Sequence, residues 1–407
     1  MRSSFVLAAA LLSVPLLSTA APAAARPCSW QAAWASAQMT PEGNNVLPSG
    51  ALADATLRQI VRPSIGGARV RVRFSNVFGH APLRIAGAAI ARSADNASAR
   101  LVPGSVRALT FGGARDVVIP AGGEWLSDPV ALPVAAFDDV AVSVHLPADP
   151  DGATAHPGSR ATSWIAKGDA TAATDLPGAT GTDHWFQLSG MEVERCAAPN
   201  GIVAFGDSIT DGYGVKPNTN ARWTDGLARR LGGRAAVLNL GIGGNRLLLD
   251  GLGPNAMARF DRDVLAQAGA RHLIVLEGVN DIGVLTREQP ASPEAHRALV
   301  AGVTGAYAQM VARARAHGLT VHVATIMPFA SNAYYHPGPA SEADRQAINA
   351  WVRTPGHVDR VIDFDRAMRD PARPDRLLPA YDSGDGLHPS VAGYRAMAGV
   401  VGLDSLR

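Results

Sequence analysis

A hydroxyl, an imidazole and a carboxylate occupy two short motifs far apart in the sequence. Gly206-Asp207-Ser208-Ile209-Thr210-Asp211-Gly212 lies near the middle of the chain, and Asp382-Ser383-Gly384-Asp385-Gly386-Leu387-His388-Pro389 lies near its end. A serine hydroxyl is a weak nucleophile until a base takes its proton during attack. His388 can be that base, because an imidazole titrates near neutral pH. The base needs a partner on its other nitrogen to fix tautomer and orientation. Asp385 stands three positions earlier, near enough for one turn to aim both side chains into one cleft. Attack on an acyl group puts negative charge on oxygen, and each donor aimed at that charge is worth ~2.7–4 kcal/mol. The N–H groups of Ser208 and Gly244 and the side-chain amide of Asn280 could supply such donors. Gly244 has no side chain to keep its N–H away from a substrate. This chemistry calls for no metal or cofactor, and no Cys or His cluster has metal-ligand spacing.

These groups need strands to place them. Apolar runs occur at 202–205, 236–240, 272–276, 321–326 and 361–364. Helix-compatible segments fall at 222–231, 255–268, 293–317, 342–352 and 390–400. Continuous apolar strands alternating with helices predict βαβ units around a buried parallel sheet. In such sheets, functional groups gather where the strands end. Ser208 follows the first run, Gly244 the second and Asn280 the third. The earlier part of the chain reads differently. Val70, Val72 and Phe74 alternate with Arg69, Arg71 and Arg73, and Val140, Val142 and Val144 alternate with Ala141, Ser143 and His145. Period-2 runs broken by Gly and Pro, as at Pro120-Ala121-Gly122-Gly123, predict an all-β sandwich or jelly roll. The boundary is expected at Glu194–Asn200, giving a β-sandwich accessory domain over 26–195 and an α/β domain over 196–407.

Gly206-Asp207-Ser208, Gly244, Asn280 and Asp385-Gly386-Leu387-His388 resemble, in order, the four blocks of the SGNH (GDSL-type) hydrolase superfamily. The resemblance covers about the last half of the chain. Ile209 stands where many members have Leu. It implies a flavodoxin-like three-layer α/β/α domain and a metal-free serine esterase. Ser208 would be the nucleophile, His388 the base and Asp385 its orienter, with Ser208, Gly244 and Asn280 forming the oxyanion hole. The α/β-hydrolase elbow does not fit, because Thr210 stands where Gly-x-Ser-x-Gly needs its second Gly. The runs 56–62 and 71–76 also resemble, less specifically, the β-sandwich of secreted bacterial esterases of the xylanase-associated (XynE-like) type.

Other residues carry blander readings. Asp207 is expected to bond loop N–H groups at a helix start, and Asp281 to cap or brace its own loop. His272, His317, His322 and His357 read as packing or surface residues, and Trp223 and Trp351 as core. His336, Tyr334 and Tyr335 could line an acyl or sugar pocket. Trp125, Trp164 and Trp185 are either sugar-stacking rings or sandwich core, and burial is the better expectation. Leu247-Leu248-Leu249 could form a small apolar wall.

Of the 407 residues, 47% are hydrophobic and 18% charged, which excludes extended disorder. The formal net charge of +2 gives no reason to expect nucleic acid or an anionic membrane as partner. Residues 1–25 follow the charged, apolar and small-residue order of a cleaved secretory leader. Their apolar stretch is short of the ~20 residues a membrane span needs. A secreted or periplasmic chain without stable membrane insertion is therefore expected. Cys28 and Cys196 are the two cysteines and a candidate disulfide. The expected activity is a secreted carboxylic-ester hydrolase, an acetylesterase acting on acylated carbohydrate. The alternatives are a lipase, lysophospholipase or arylesterase with the same machinery, and a binding protein with a vestigial triad. Neither the natural ester nor the oligomeric state is legible.

Overall fold

The computed structural model describes residues 27–406, so the expected leader at 1–25 lies outside the described residues. The first half is strand-rich. One antiparallel sheet runs in the order Ser29–Ala35, Leu188–Arg195, Gly67–Ser75 and Glu124–Leu126, with Val130–Val134 also paired to Gly67–Ser75. A second runs in the order Thr180–Thr182, Ser163–Lys167, Ala55–Val61, Val140–Leu146, Gly87–Arg92 and Arg107–Leu109. The alternation at 69–74 is realised: Val70, Val72 and Phe74 are buried, while Arg71 and Arg73 pair with Glu192 on the other face. At 140–146 the outcome differs. Val140, Val142 and Val144 enter the main core, but Ala141 packs with Ile60, Ala91 and Leu101 in a second small cluster. The outer face is buried too, because Arg58 reaches under the covering loops to the carbonyls of Ala99 and Ala173 and to Ser143 Oγ.

After Arg195 the architecture changes. Five strands, Gly201–Gly206, Ala236–Gly241, Ala270–Leu276, Thr320–Ala324 and Arg360–Ile362, pair in parallel. Their spatial order is 2-1-3-4-5, that of flavodoxin-like doubly wound folds. Helices Trp223–Leu231 and Val391–Val400 pack together, as do Pro293–Ala316 and Pro339–Arg353. Two expected spans shift for local reasons. The last strand stops at Ile362 because Asp363 accepts the Arg366 N–H and starts a helix at Phe364–Met368. The segment after Asn255 is α-helical only over Ala256–Phe260 and continues as one π-turn over Asp261–Leu265.

The apolar core runs without a break from the strand-rich half into the parallel sheet. Ser64 Oγ accepts the Val237 N–H at 2.8 Å and donates to the Val237 carbonyl at 3.2 Å, which joins the two halves in the interior. Cys28 and Cys196 form a disulfide beside the antiparallel partners Ser29 and Arg195.

Candidate active site

Gly206 ends the first parallel strand where no side chain fits. A Cβ there would lie 2.3 Å from Thr210 Oγ1 and 2.6 Å from the Leu276 carbonyl. Asp207 then caps a four-residue helix, Ser208–Asp211, by accepting the Ile209 N–H at 2.9 Å. Ser208 is thus the first helical residue, at the carboxyl end of the strand around which the sheet order reverses. Its Oγ lies 2.8 Å from His388 Nε2. His388 Nδ1 faces Asp385 Oδ2 at 2.6 Å. Asp385 Oδ1 accepts the N–H groups of Leu387 and His388 at 2.9 and 2.8 Å, so one tight turn aims both side chains. Burial alone would raise the Asp385 carboxyl. The hydrogen bonds and charge of His388 outweigh it and hold the group well below the usual carboxylate range. An ionised Asp385 keeps the hydrogen of His388 on Nδ1 and leaves Nε2 to accept from serine.

The candidate oxyanion donors come from three successive strand ends. Among the described residues, the N–H groups of Ser208 and Gly244 have no hydrogen-bond partner. Gly244 has φ +70°, and a Cβ there would meet Leu252 Cδ1 at 2.5 Å. Asn280 is buried in the first turn of helix Val279–Thr286. Its Nδ2 donates to the Asn245 carbonyl at 2.7 Å, and its Oδ1 accepts from the Tyr335 hydroxyl at 2.7 Å. An amide nitrogen has two hydrogens, so one stays free to donate. Tyr335, expected as a pocket wall, therefore also holds the amide in place.

A buried polar knot supports these loops. Arg259 donates to the carbonyls of Gly206 and Leu240 and to Asn245 Oδ1, at 2.8–3.0 Å, and so pins two strand ends and the loop between Gly244 and Asn280. It also pairs with Asp263 at 3.0 Å and reaches Glu277 at 3.5 Å. Burial pushes Asp207 up to about 7, against the Ile209 hydrogen bond and helped by Asp281. Burial and the charge of Asp207 raise Glu277 well above its ordinary value. Burial also raises Asp281 to about 6, although it accepts the N–H groups of Leu247 and Leu248 at 2.9 and 3.1 Å. Asp281 thus braces the loop after Gly244 rather than its own.

Ser208 and His388 open into a cleft of about 1200 Å³. Among the described residues, no group of three or more His, Cys, Asp or Glu side chains converges as metal ligands would. Tyr334 and Tyr335 line the cleft, whereas His336 does not. Of the tryptophans, Trp223 and Trp185 are buried and Trp125 is exposed, away from the cleft. His272 and His322 are buried against each other. Sequence reasoning missed Tyr213, whose ring stacks on His388 with centroids 4.0 Å apart. Its place five residues after Ser208 was the available clue. It also missed the contribution of the strand-rich half. His156 Nδ1 donates to the Ala37 carbonyl at 2.7 Å, and its Nε2 meets Asp211, in the helical turn that Ser208 begins, at 3.0 Å. Gly158 lies so close that a Cβ there would be 1.8 Å from Asp211 Oδ2. No local pattern around His156 announces this contact.

Residues 204–396 match the GDSL-like Lipase/Acylhydrolase family. No curated protein matches the chain. Among solved structures the chain is similar to a GDSL-like lipase from Bacteroides thetaiotaomicron, at 19% identity over 52% of this chain and 91% of that one, with TM-score 0.38. It is similar to the M. smegmatis aryl esterase at 18% identity, over 51% and 100% of the two chains, with TM-score 0.40. It is similar to a carbohydrate acetylesterase from Sinorhizobium meliloti at 16% identity, over 49% and 94%, with TM-score 0.37.

Proposed function

We propose that the chain, whose residues 204–396 match the GDSL-like Lipase/Acylhydrolase family, is a secreted or periplasmic serine esterase that removes short acyl groups, acetyl above all, from carbohydrate esters. The observation that carries this reading is the chain of contacts from Ser208 Oγ through His388 to Asp385, at 2.8 and 2.6 Å. His388 takes the proton of Ser208 as the oxygen attacks the ester carbonyl. The oxyanion points at the N–H groups of Ser208 and Gly244 and the free hydrogen of Asn280. Collapse expels the sugar alkoxide, which receives the proton from His388 and leaves an acyl-enzyme. Water enters, His388 takes its proton, and the acid departs as Ser208 recovers its hydrogen.

The leaning towards carbohydrate rests on the wide, mixed polar lining of the cleft and on two exposed rings at its rim. Tyr213 is 48% and Tyr334 60% exposed, as sugar-stacking rings would be. Export rests on the leader-like residues 1–25, and the disulfide agrees with an oxidising compartment. The division into an accessory domain over 26–195 and a catalytic domain over 196–407 belongs to the same proposal. A second reading, an aryl or lipid esterase, is favoured by the exposed Leu248, Leu249 and Leu252, the last on the cleft wall. Acetate release from acetylated xylan, pectin, mannan and chitin, together with p-nitrophenyl esters of two to eight carbons, tests the choice. Release from a polysaccharide with preference for acetyl supports the first reading. Preference for octanoyl with no release from polymer supports the second.

A further inference from the structure

Three arginines line the cleft: Arg160, Arg246 and Arg287. Arg287 has its own carboxylate, Glu288 at 2.7 Å. Among the described residues, neither Arg160 nor Arg246 has a carboxylate within ion-pair distance, and Arg246 is turned onto the Asp250 carbonyl. Arg160 comes from the strand-rich half, and its Nε is buried without a hydrogen-bond partner. Its backbone has φ +49°, a left-handed conformation that costs a non-glycine residue about 1–3 kcal/mol. The loop around it is held firmly enough to keep it there. His184 donates to the Pro157 carbonyl at 2.7 Å, Ser159 Oγ to the Asp183 carbonyl at 2.7 Å, and Asn218 N–H to the Arg160 carbonyl at 2.9 Å. Arg222 adds a bond to the Ser159 carbonyl. Asp183, a carboxylate of the same loop system, accepts from Thr162 Oγ1 at 2.8 Å.

The position of Arg160 says which part of a substrate it meets. Its guanidinium lies 5.9 Å from the ring centroid of Tyr213, and that ring stacks on His388. His388 returns its proton to the departing alcohol, so the alcohol part of the ester occupies the His388 side of the cleft. The carbonyl oxygen faces the opposite side, towards Gly244 and Asn280. We propose that Arg160 is a specificity-determining residue that binds a carboxylate carried by the sugar, so that esters on uronic acid residues are the favoured substrates. This rests on the carbohydrate-ester reading above. A guanidinium presents parallel N–H donors that match a carboxylate in a forked pair. On this account, the strained loop is kept because it delivers that fork to the leaving-group side.

The test uses the full chain and pairs of monoacetylated methyl glycosides. The members of each pair differ only at C6, one bearing a carboxylate and the other a hydroxymethyl group. A hydrogen-bonded charge contact of this kind is worth about a ten- to hundredfold preference. The unmodified enzyme should therefore favour the anionic member by that factor in kcat/KM. The preference should shrink at high ionic strength, where the pair is screened. Arg160→Gln should bring the ratio near one, and Arg160→Lys should keep part of it, because a charge remains without the fork. Equal kcat/KM for the two members with the unmodified enzyme overturns the proposal and leaves the esterase reading standing. A ratio that survives Arg160→Gln also overturns it. If that variant fails to fold, the wild-type ratio, its salt dependence and the Lys variant decide. Release of acetate from neither sugar, while p-nitrophenyl acetate is turned over, removes the carbohydrate reading and this proposal with it.

Discussion

Tyr335→Phe probes the proposed oxyanion site by removing a hydroxyl that is engaged with Asn280. The change deletes one hydroxyl, which donates to Asn280 Oδ1 at 2.7 Å inside the protein. The ring itself should stay, because it lies on Gly283, where a Cβ would come within 2.4 Å of it. Asn280 then has a buried acceptor with no donor, a loss of about 1–3 kcal/mol. The amide cannot escape by flipping, since that would turn Oδ1 onto the Asn245 carbonyl, which now accepts from Nδ2 at 2.7 Å. The amide loosens in place and donates less well to the transition state. The upper bound is the loss of a whole donor, about 10²–10³ in kcat. We expect kcat for p-nitrophenyl acetate to fall about ten- to hundredfold in Tyr335→Phe, with KM little changed. Asn280→Ala should be worse, and the double variant no worse than Asn280→Ala alone, because the tyrosine acts only through that amide. Wild-type kcat in Tyr335→Phe, or losses that simply add in the double variant, would refute the reasoning.

Three further outcomes follow from the same contacts. Asp207 is raised from an ordinary 3.8 to about 7. The native state therefore binds more protons than the unfolded chain between those values, and stability should fall as pH rises from about 4 to about 7. Asp207→Asn keeps an acceptor for the Ile209 N–H and should flatten that decline, as read by Tm at pH 4.5 and 8; an unchanged slope would contradict it. His156→Ala breaks a buried pair with Asp211, which costs about 3–5 kcal/mol. Denaturant melts should show that loss, together with lower kcat per titrated active site. Cys28→Ser with Cys196→Ser opens a loop of 168 residues in sequence separation. Stability should fall by about 2–5 kcal/mol, and an unchanged unfolding midpoint would count against the linkage mattering.

How far the sequence led depends on how local each determinant is. The parallel sheet was legible because its strands are continuous apolar runs, and the candidate site because strand ends carry Ser208, Gly244 and Asn280 in order. Asp385 and His388 could be read as one unit because a single turn holds both. The two-sided burial of Val140–Leu146 was not legible, since the covering loops come from distant segments and are held by Arg58. The π-turn at Asp261–Leu265 left no mark in the hydrophobic spacing. Arg259, which ties strand ends together, looked like any helical arginine. His156 and Arg160 reach the cleft only through the packing of one half on the other, and no periodicity or motif carries that information.

The most direct measurement is covalent labelling of the proposed nucleophile, Ser208. The full chain is treated with a p-nitrophenyl phosphonate, a reagent that phosphonylates an activated serine, and the adduct is located by peptide mass spectrometry. One adduct per chain on Ser208 is expected, formed in step with loss of esterase activity and much more slowly in His388→Ala. An adduct on another residue that still abolishes activity, or undiminished turnover in Ser208→Ala, would contradict the account.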